Sequence, residues 1–242
     1  MNEYLKYTNV QNDVSGIKRL KFIIDFCDKN FTKAKILDAG CGTGSISIPL
    51  GLKHEVTGID IDKASISIAE KRNKFENARF SAGEISGIKE QHDVVLCIQV
   101  LEHLEKPEEM MNAIFRTSKK FAIITVPNGY GISEITGRII GRARGTAKLK
   151  NATKTNEGMF TANYDNPHIQ KFTIKKIRKL AENAGFTIKQ IKNHNFLMSA
   201  FPFNQLFFHT PLKRALEKID EAIADMLPHF MASGWYFVLE KK

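Results

Sequence analysis

Apolar residues along the chain recur with two different periods, and the switches between them mark out alternating helices and strands. Ile17, Leu20, Ile23, Ile24 and Cys27 stand three or four apart, so a leading amphipathic helix is expected over about 12–30. Ile36-Leu37-Asp38-Ala39 then reads as a buried strand running into Gly40-Cys41-Gly42-Thr43-Gly44, with Ile46, Ile48, Leu50 and Leu52 on a short helix beyond. The pattern repeats with a strand over Glu55–Asp60, a helix from about Lys63 to Lys74 carrying Ile66 and Ala69 inward, and a strand over Ala78–Ser81. His92–Ile98 is a near-continuous apolar run of the kind that a central parallel strand needs. Pro107 with Glu108 and Glu109 marks a helix start, because proline fits the first turn and acids favour the positive dipole end. Phe121–Val126 reads as a fifth strand. Ile174, Ile177, Leu180 and Ala181 place a helix that closes at Gly185, and Phe186 opens a strand to about Ile191. A helix over Leu212–Leu227 and a last strand over Gly234–Glu240 complete the series, which predicts a three-layer α/β/α domain around a mostly parallel, doubly wound sheet.

A length of 242 residues, 43% hydrophobic and 26% charged, suits one globular domain spanning 1–242 with a sizeable core. Met1 to Asn12 lacks the apolar centre of a signal peptide and no apolar run reaches membrane-spanning length, so a cytoplasmic protein is expected. Cys27, Cys41 and Cys97 are scattered without metal-ligand spacing, which points to reduced thiols and no metal site. The net charge of +10 leaves room for an acidic partner, although lysines set singly among polar residues, as over Lys71–Lys74, equally describe a solvated surface.

The glycine-rich turn carries the first chemical information. Without a Cβ, Gly40, Gly42 and Gly44 can take positive φ and let a ligand approach the backbone, and Asp38 supplies an acid at the strand end. Ser45 stands where a dinucleotide fingerprint needs its third glycine, and no Gly-Lys-Ser/Thr follows, so a phosphate cradle is not indicated. At the tip of the second strand, Asp60 is placed to accept both hydroxyls of a ribose, while Asp62 suits the N-cap of the next helix.

The order Asp38-x-Gly40-x-Gly42-x-Gly44 resembles the first motif of the class I S-adenosylmethionine-dependent methyltransferases. Asp93 to Pro107, with Leu101-Glu102-His103, and the later order Phe172-Thr173, helix, Ala184-Gly185-Phe186, strand are similar to the ubiquinone-biosynthesis O-methyltransferase and methyltransferase type 11 group. The likeness covers roughly residues 34–192 and the last strand. It implies a Rossmann-like sheet whose last strand pairs antiparallel at the edge. It also implies S-adenosylmethionine as cofactor, along Asp38, Gly40, Cys41, Gly42, Gly44, Asp60, Ile61, Glu84, Ile85 and Gln99, with Glu84 accepting from the adenine amino group. His103, after the central strand, is the candidate general base, and its alternative is a packed or locally bonded turn histidine. His168 reads as a turn residue and Thr173 as an N-cap.

Two segments are left to choose the acceptor. Within about 131–166, Ile132, Ile135, Ile139, Ile140, Ala143 and Ala147 share a helical face while Arg138, Arg142, Arg144 and Lys148 lie off it, so this basic insertion reads as a lid, an anionic-membrane contact, an RNA contact or a packing helix. Phe196, Phe201, Phe203, Phe207 and Phe208 wall a hydrophobic acceptor pocket, contact lipid or pack on the neighbouring helix. The expected reaction is methyl transfer to a small or lipid-like acceptor, most naturally at oxygen. The alternatives are transfer to nitrogen or RNA, a non-catalytic nucleoside-binding protein, and a nicotinamide oxidoreductase. Base methylation of nucleic acid is disfavoured, because Cys97-Ile98-Gln99-Val100 stands where an Asn/Asp-Pro-Pro-aromatic motif would be. Oligomeric state is not set by any of these patterns.

Overall fold

A computed structural model gives the fold and describes residues 1, 3–10, 14–131, 169–196 and 212–242. The strands are β1 (Lys35–Ala39), β2 (Glu55–Asp60), β3 (Ala78–Ala82), β4 (His92–Ile98), β5 (Ser118–Pro127), β6 (Phe186–Asn193) and β7 (Gly234–Lys241). They form one sheet in the order β3-β2-β1-β4-β5-β7-β6. The first five pair in parallel, and β7 runs antiparallel to both of its neighbours. The strand order reverses between β1 and β4, so the crevice outside their C-terminal ends is the natural ligand position for this topology.

Side-chain alternation explains why helices cover both faces. Ile36, Val94, Leu96 and Phe121 point to one side, into a cluster with Leu20, Ile23 and Cys27 of α1 (Val14–Asn30), Ile48 and Leu50 of α2 (Ser47–Leu50), and Ile66 and Ala69 of α3 (Lys63–Arg72). Leu37, Val95 and Cys97 point to the other, against Met111 and Ile114 of α4 (Pro107–Thr117) and Ile177 and Ala181 of α5 (Ile174–Ala184). The three-layer expectation therefore holds. A sixth helix, α6 (Leu212–Met226), lies beside α1 and β6. Both expected caps form: the Asp62 carboxylate accepts from the N–H groups of Ala64 at 3.0 Å and Ser65 at 3.2 Å, and Thr173 Oγ1 accepts from Lys176 N at 3.2 Å.

One placement differs from expectation. The last strand is not at the sheet edge; β7 lies between β5 and β6, and β6 takes the edge. The reason is compositional. Trp235 to Leu239 is apolar at every position and is buried throughout, as an interior strand covered on both faces requires, whereas β6 carries Lys189, Gln190 and Lys192 at partly exposed positions.

The N-terminal tyrosines pack against the rest of the chain. Tyr4 is buried with its hydroxyl donating to Asp28 at 3.3 Å, and Tyr7 meets Phe75 edge-on at 4.7 Å. Among the described residues no helix is long and apolar enough to cross a membrane. All three cysteines are free and buried. His168, the insertion from Ile132 onward, and Phe201, Phe203, Phe207 and Phe208 lie outside the described residues.

Gly185 ends α5 at φ 102°, and a Cβ there would stand 2.9 Å from the Phe115 ring. Gly185→Ala is expected to destabilise the fold by about 1–3 kcal/mol, read as a lowered urea midpoint with unchanged slope. An unshifted midpoint would show that α5 can end another way.

Candidate functional site

Three strand tips meet at the crevice and are tied together through β2. The carbonyl of Ile59 accepts from both Gly40 N (2.8 Å) and Cys41 N (3.0 Å). Asp60 Oδ2 accepts from Gly42 N at 2.8 Å, and Gly44 N donates to the Cys41 carbonyl at 3.0 Å. Asp60 also accepts from Asp62 N through Oδ1 at 2.9 Å, and through its own carbonyl from Gly83 N at 2.9 Å. Arg72 holds the Thr43 carbonyl at 2.7 Å, and Thr8 Oγ1 donates to the Ser45 carbonyl at 2.6 Å.

Positive φ at Gly40 (85°), Gly42 (52°) and Gly44 (75°) makes this path possible. At Gly40 the constraint is double, because a Cβ would lie 2.4 Å from Val100 Cγ2 in the turn after β4. At Gly42 a Cβ would meet nothing within 4 Å, so that backbone faces open space. Since the N–H groups of Gly40, Cys41, Gly42 and Gly44 are all engaged inside the protein, they are not available to cradle a phosphate. A P-loop keeps such groups pointing at its ligand.

Asp38 sits at the end of β1, fully buried. Ser47 Oγ donates to one carboxylate oxygen, while Oδ1 is enclosed without a hydrogen-bond partner. Burial pushes its carboxyl up to about 7, against the opposing bond from Ser47, and the nearby Asp60 adds to the rise. An enclosed carboxylate oxygen at the crevice suits a ligand that brings a cation or an N–H donor. Glu84 is exposed beyond β3, bonded to Ser86 Oγ at 3.0 Å. Ile61 is 76% exposed beside Asp60, which is unusual for an isoleucine next to a strand.

Two candidates present only their backbone. Cys41 turns its thiol inward against Gly58, where burial raises its pKa, and Ile85 packs with Leu37, Ala39 and Ile59. Gln99 takes φ 57° immediately after β4 and donates from Nε2 to Thr125 Oγ1 at 3.3 Å. His103 ends the turn that follows, half-buried, while its neighbour Glu102 is fully buried. The Glu102 carbonyl accepts from Ile169 N (2.9 Å) and Gln170 N (3.0 Å), which fastens the chain that follows residue 168 to the His103 turn.

A small cavity of about 40 Å³ lies against Gln99, lined by Arg19, Thr125, His194, Trp235 and Tyr236. Sequence reasoning missed Arg19 and His194. Lys18-Arg19 reads as part of a solvated helix face, yet both are nearly buried. His194 follows β6, and burial beside the Arg19 and Lys18 cations holds its pKa well below the ordinary histidine value, so the ring is neutral. Among the described residues no group of three or more His, Cys, Asp or Glu side chains is placed to hold a metal.

Comparison with known proteins agrees with this geometry. Residues 11–191 match the family described as a methyltransferase domain. The ubiquinone biosynthesis O-methyltransferase of Pseudomonas savastanoi pv. phaseolicola is 34% identical over 92 residues, which are 35% of this chain and 40% of that protein. That of Pseudomonas fluorescens is 32% identical over 97 residues, 37% and 42% of the two chains. The chain therefore spans about 40% of the length of the curated relatives it matches. Among solved structures, magnesium protoporphyrin IX methyltransferase from Synechocystis PCC 6803 with bound S-adenosylhomocysteine aligns with TM-score 0.62 and 15% identity, over 95% of this chain and 84% of that one. The [4+2]-cyclase SpnF aligns with TM-score 0.59 and 14% identity, over 93% and 80%. At these identities the structures establish the fold alone.

Because the folded-state pKa of Asp38 lies above the ordinary 3.8, its neutral form contributes stability that is complete below that value and is lost as pH rises through about 7. Asp38→Asn is expected to flatten the fall in stability between about pH 4 and pH 7, measured by urea unfolding at several pH values. Glu221, also raised to about 7 by burial, contributes equally to both proteins and cancels in the comparison. Parallel curves would show that Asp38 is ionised throughout.

Proposed function

The chain belongs to the methyltransferase-domain family, the class I S-adenosylmethionine-dependent enzymes, and on that premise we propose that it methylates a small or lipid-like acceptor at oxygen. The carrying observation is the crevice loop, whose Gly40, Cys41, Gly42 and Gly44 N–H groups are bonded internally while an enclosed Asp38 oxygen has no hydrogen-bond partner. Such a site suits a nucleoside that carries cationic groups and no phosphate.

The residues present fit that cofactor. Asp60, with lone pairs left on both oxygens, would accept from the ribose hydroxyls; Ile61 offers an apolar platform for the adenine ring and Glu84 an acceptor for its amino group. The open backbone at Gly42 admits the nucleoside closely, and the chain at Gly40, Cys41, Gly44 and Ile85 gives the pocket its shape. Asp38 would receive the amino end. Arg19, buried beside Gln99, would face the carboxylate end.

When bound, the cofactor supplies an electrophilic methyl on a sulfonium. The protein's part is to hold the acceptor in line with it and to keep water out. An acceptor hydroxyl must lose its proton, and His103, half-buried on the turn after β4, is the base in this reading. Oxygen as the acceptor atom is supported by the relatives named as ubiquinone biosynthesis O-methyltransferases. The basic insertion, as a lid or as a contact with an anionic membrane, is proposed on sequence pattern alone.

Calorimetric titration with S-adenosylhomocysteine beside NADH tests the cofactor. Binding of the former alone is expected, and binding of NADH alone would overturn the reading. Asp60→Ala should lower that affinity at least tenfold, because it removes the ribose acceptor and frees both Gly42 and Asp62. With an acceptor found by screening phenols and lipid-like alcohols for S-adenosylhomocysteine release, His103→Ala should cut kcat about 10²–10⁴-fold at unchanged cofactor affinity. Undiminished turnover would remove His103 from the chemistry.

A further inference from the structure

Helix α6 is packed with its charged side toward the protein. Asp220 and Ala224 are buried, and Glu217 and Glu221 are half-buried. Asp220 Oδ2 accepts from Phe196 N at 3.0 Å, and Asn193 Nδ2 donates to the Ala224 carbonyl at 2.6 Å. Asp225, at the edge of this side, lies 3.6 Å from Lys18 Nζ and 3.4 Å from Lys192 Nζ.

The opposite side is apolar and open. Ala215, Ile219, Ala222 and Met226 recur at i, i+4, i+7 and i+11, with Ile223 beside them, and all are exposed. Exposure reaches 56% at Ile219, 43% at Ile223 and 87% at Met226. Among the described side chains of α6, Lys218 is the cation flanking the stripe, and the acids turn toward the protein or its cations. An amphipathic helix normally gives its apolar stripe to the core, so this orientation marks a surface that something else covers. Beyond the helix, Phe230 is 72% exposed and Tyr130 60% exposed. The side chain of Asn128 joins these two, donating to the Phe230 carbonyl at 3.0 Å and accepting from Tyr130 N at 3.1 Å. Asn128 follows the C-terminal end of β5.

We propose that this face of α6, with the exposed Phe230 that follows it, seats the protein on an anionic phospholipid bilayer. A three-turn stripe is about 17 Å long and about 10 Å wide by helix geometry, about 170 Å², far below the about 800 Å² per partner of a stable protein interface. A bilayer needs no such area, since it takes up an amphipathic helix lying in its plane. The charge arrangement agrees: acids face inward to Lys18 and Lys192, Lys218 flanks the outer stripe, and the whole chain carries a net charge of +10. The inference stands apart from the acceptor's identity and rests on α6 rather than on the basic insertion.

The test is co-sedimentation of the full chain with phosphatidylcholine vesicles containing phosphatidylglycerol. Ile223→Glu/Met226→Glu is the variant, and Ile68→Glu, at an exposed isoleucine on α3, is the control. The wild type and the control should pellet with the vesicles, and the double variant should bind at least tenfold more weakly while keeping its melting temperature and its affinity for S-adenosylhomocysteine. A wild type left in the supernatant, or a double variant that pellets as well as the wild type, would overturn the proposal. So would a wild-type dimer that the double substitution turns into monomers without changing lipid binding, since the face would then be a self-interface. A lowered melting temperature in the double variant would show that the chain itself covers the stripe, and would overturn it equally.

Discussion

Asp60 holds three strand tips at once, and the geometry of the crevice follows from that. Its carboxylate fixes Gly42 of the loop after β1 and Asp62 at the start of α3, and its carbonyl fixes Gly83 after β3. The Ile59 carbonyl just before it takes the N–H groups of Gly40 and Cys41. The loop is thereby bent through three positive-φ glycines into a shape that exposes backbone at Gly42 without leaving its donors free. The same carboxylate that would receive a ribose therefore also builds the surface on which the nucleoside lies. An aspartate suits both duties, since each oxygen keeps a lone pair after its first bond.

Ionisable groups around the crevice are held away from water, and their charge states follow from that. Asp38 is raised toward neutrality by burial, and His194 is kept neutral by burial and neighbouring cations. If the cofactor's amino end meets Asp38 as proposed, the arriving cation would ionise the acid fully, and binding would then be coupled to proton release. That coupling keeps an uncompensated buried charge from destabilising the cofactor-free fold.

Much of this is legible in the amino-acid sequence, for reasons that differ by residue. Asp38, the loop glycines and Asp60 sit at strand ends that the apolar runs define sharply, and a glycine-to-strand boundary leaves little freedom for where they fall. Asp62 and Thr173 can be read as caps because capping is local. The position of β7 is not legible, since its composition says that it is covered on both faces but not which strand covers its far side. Arg19 escapes because helical spacing reports which face is apolar, and a cation on the flank of that face is buried only when other elements close over it. The inverted packing of α6 escapes for the same reason: periodicity shows that a helix has two faces, and it is Lys18 and Lys192 that decide which one turns inward.

The fold by itself does not fix the reaction, as the likeness to a [4+2]-cyclase makes plain. What this chain adds to the shared crevice lies on one side of it. The cofactor half is built from β1, β2 and β3 through backbone bonds and a few short acids, which constrain sequence strongly. The other half borders Gln99, the end of β5 and the start of β7, and it is made of side chains: Thr125, His194, Trp235 and Tyr236. Side-chain walls can be exchanged without disturbing the loop that Asp60 holds. In the proposed reading, acceptor choice can therefore change while the cofactor site stays fixed.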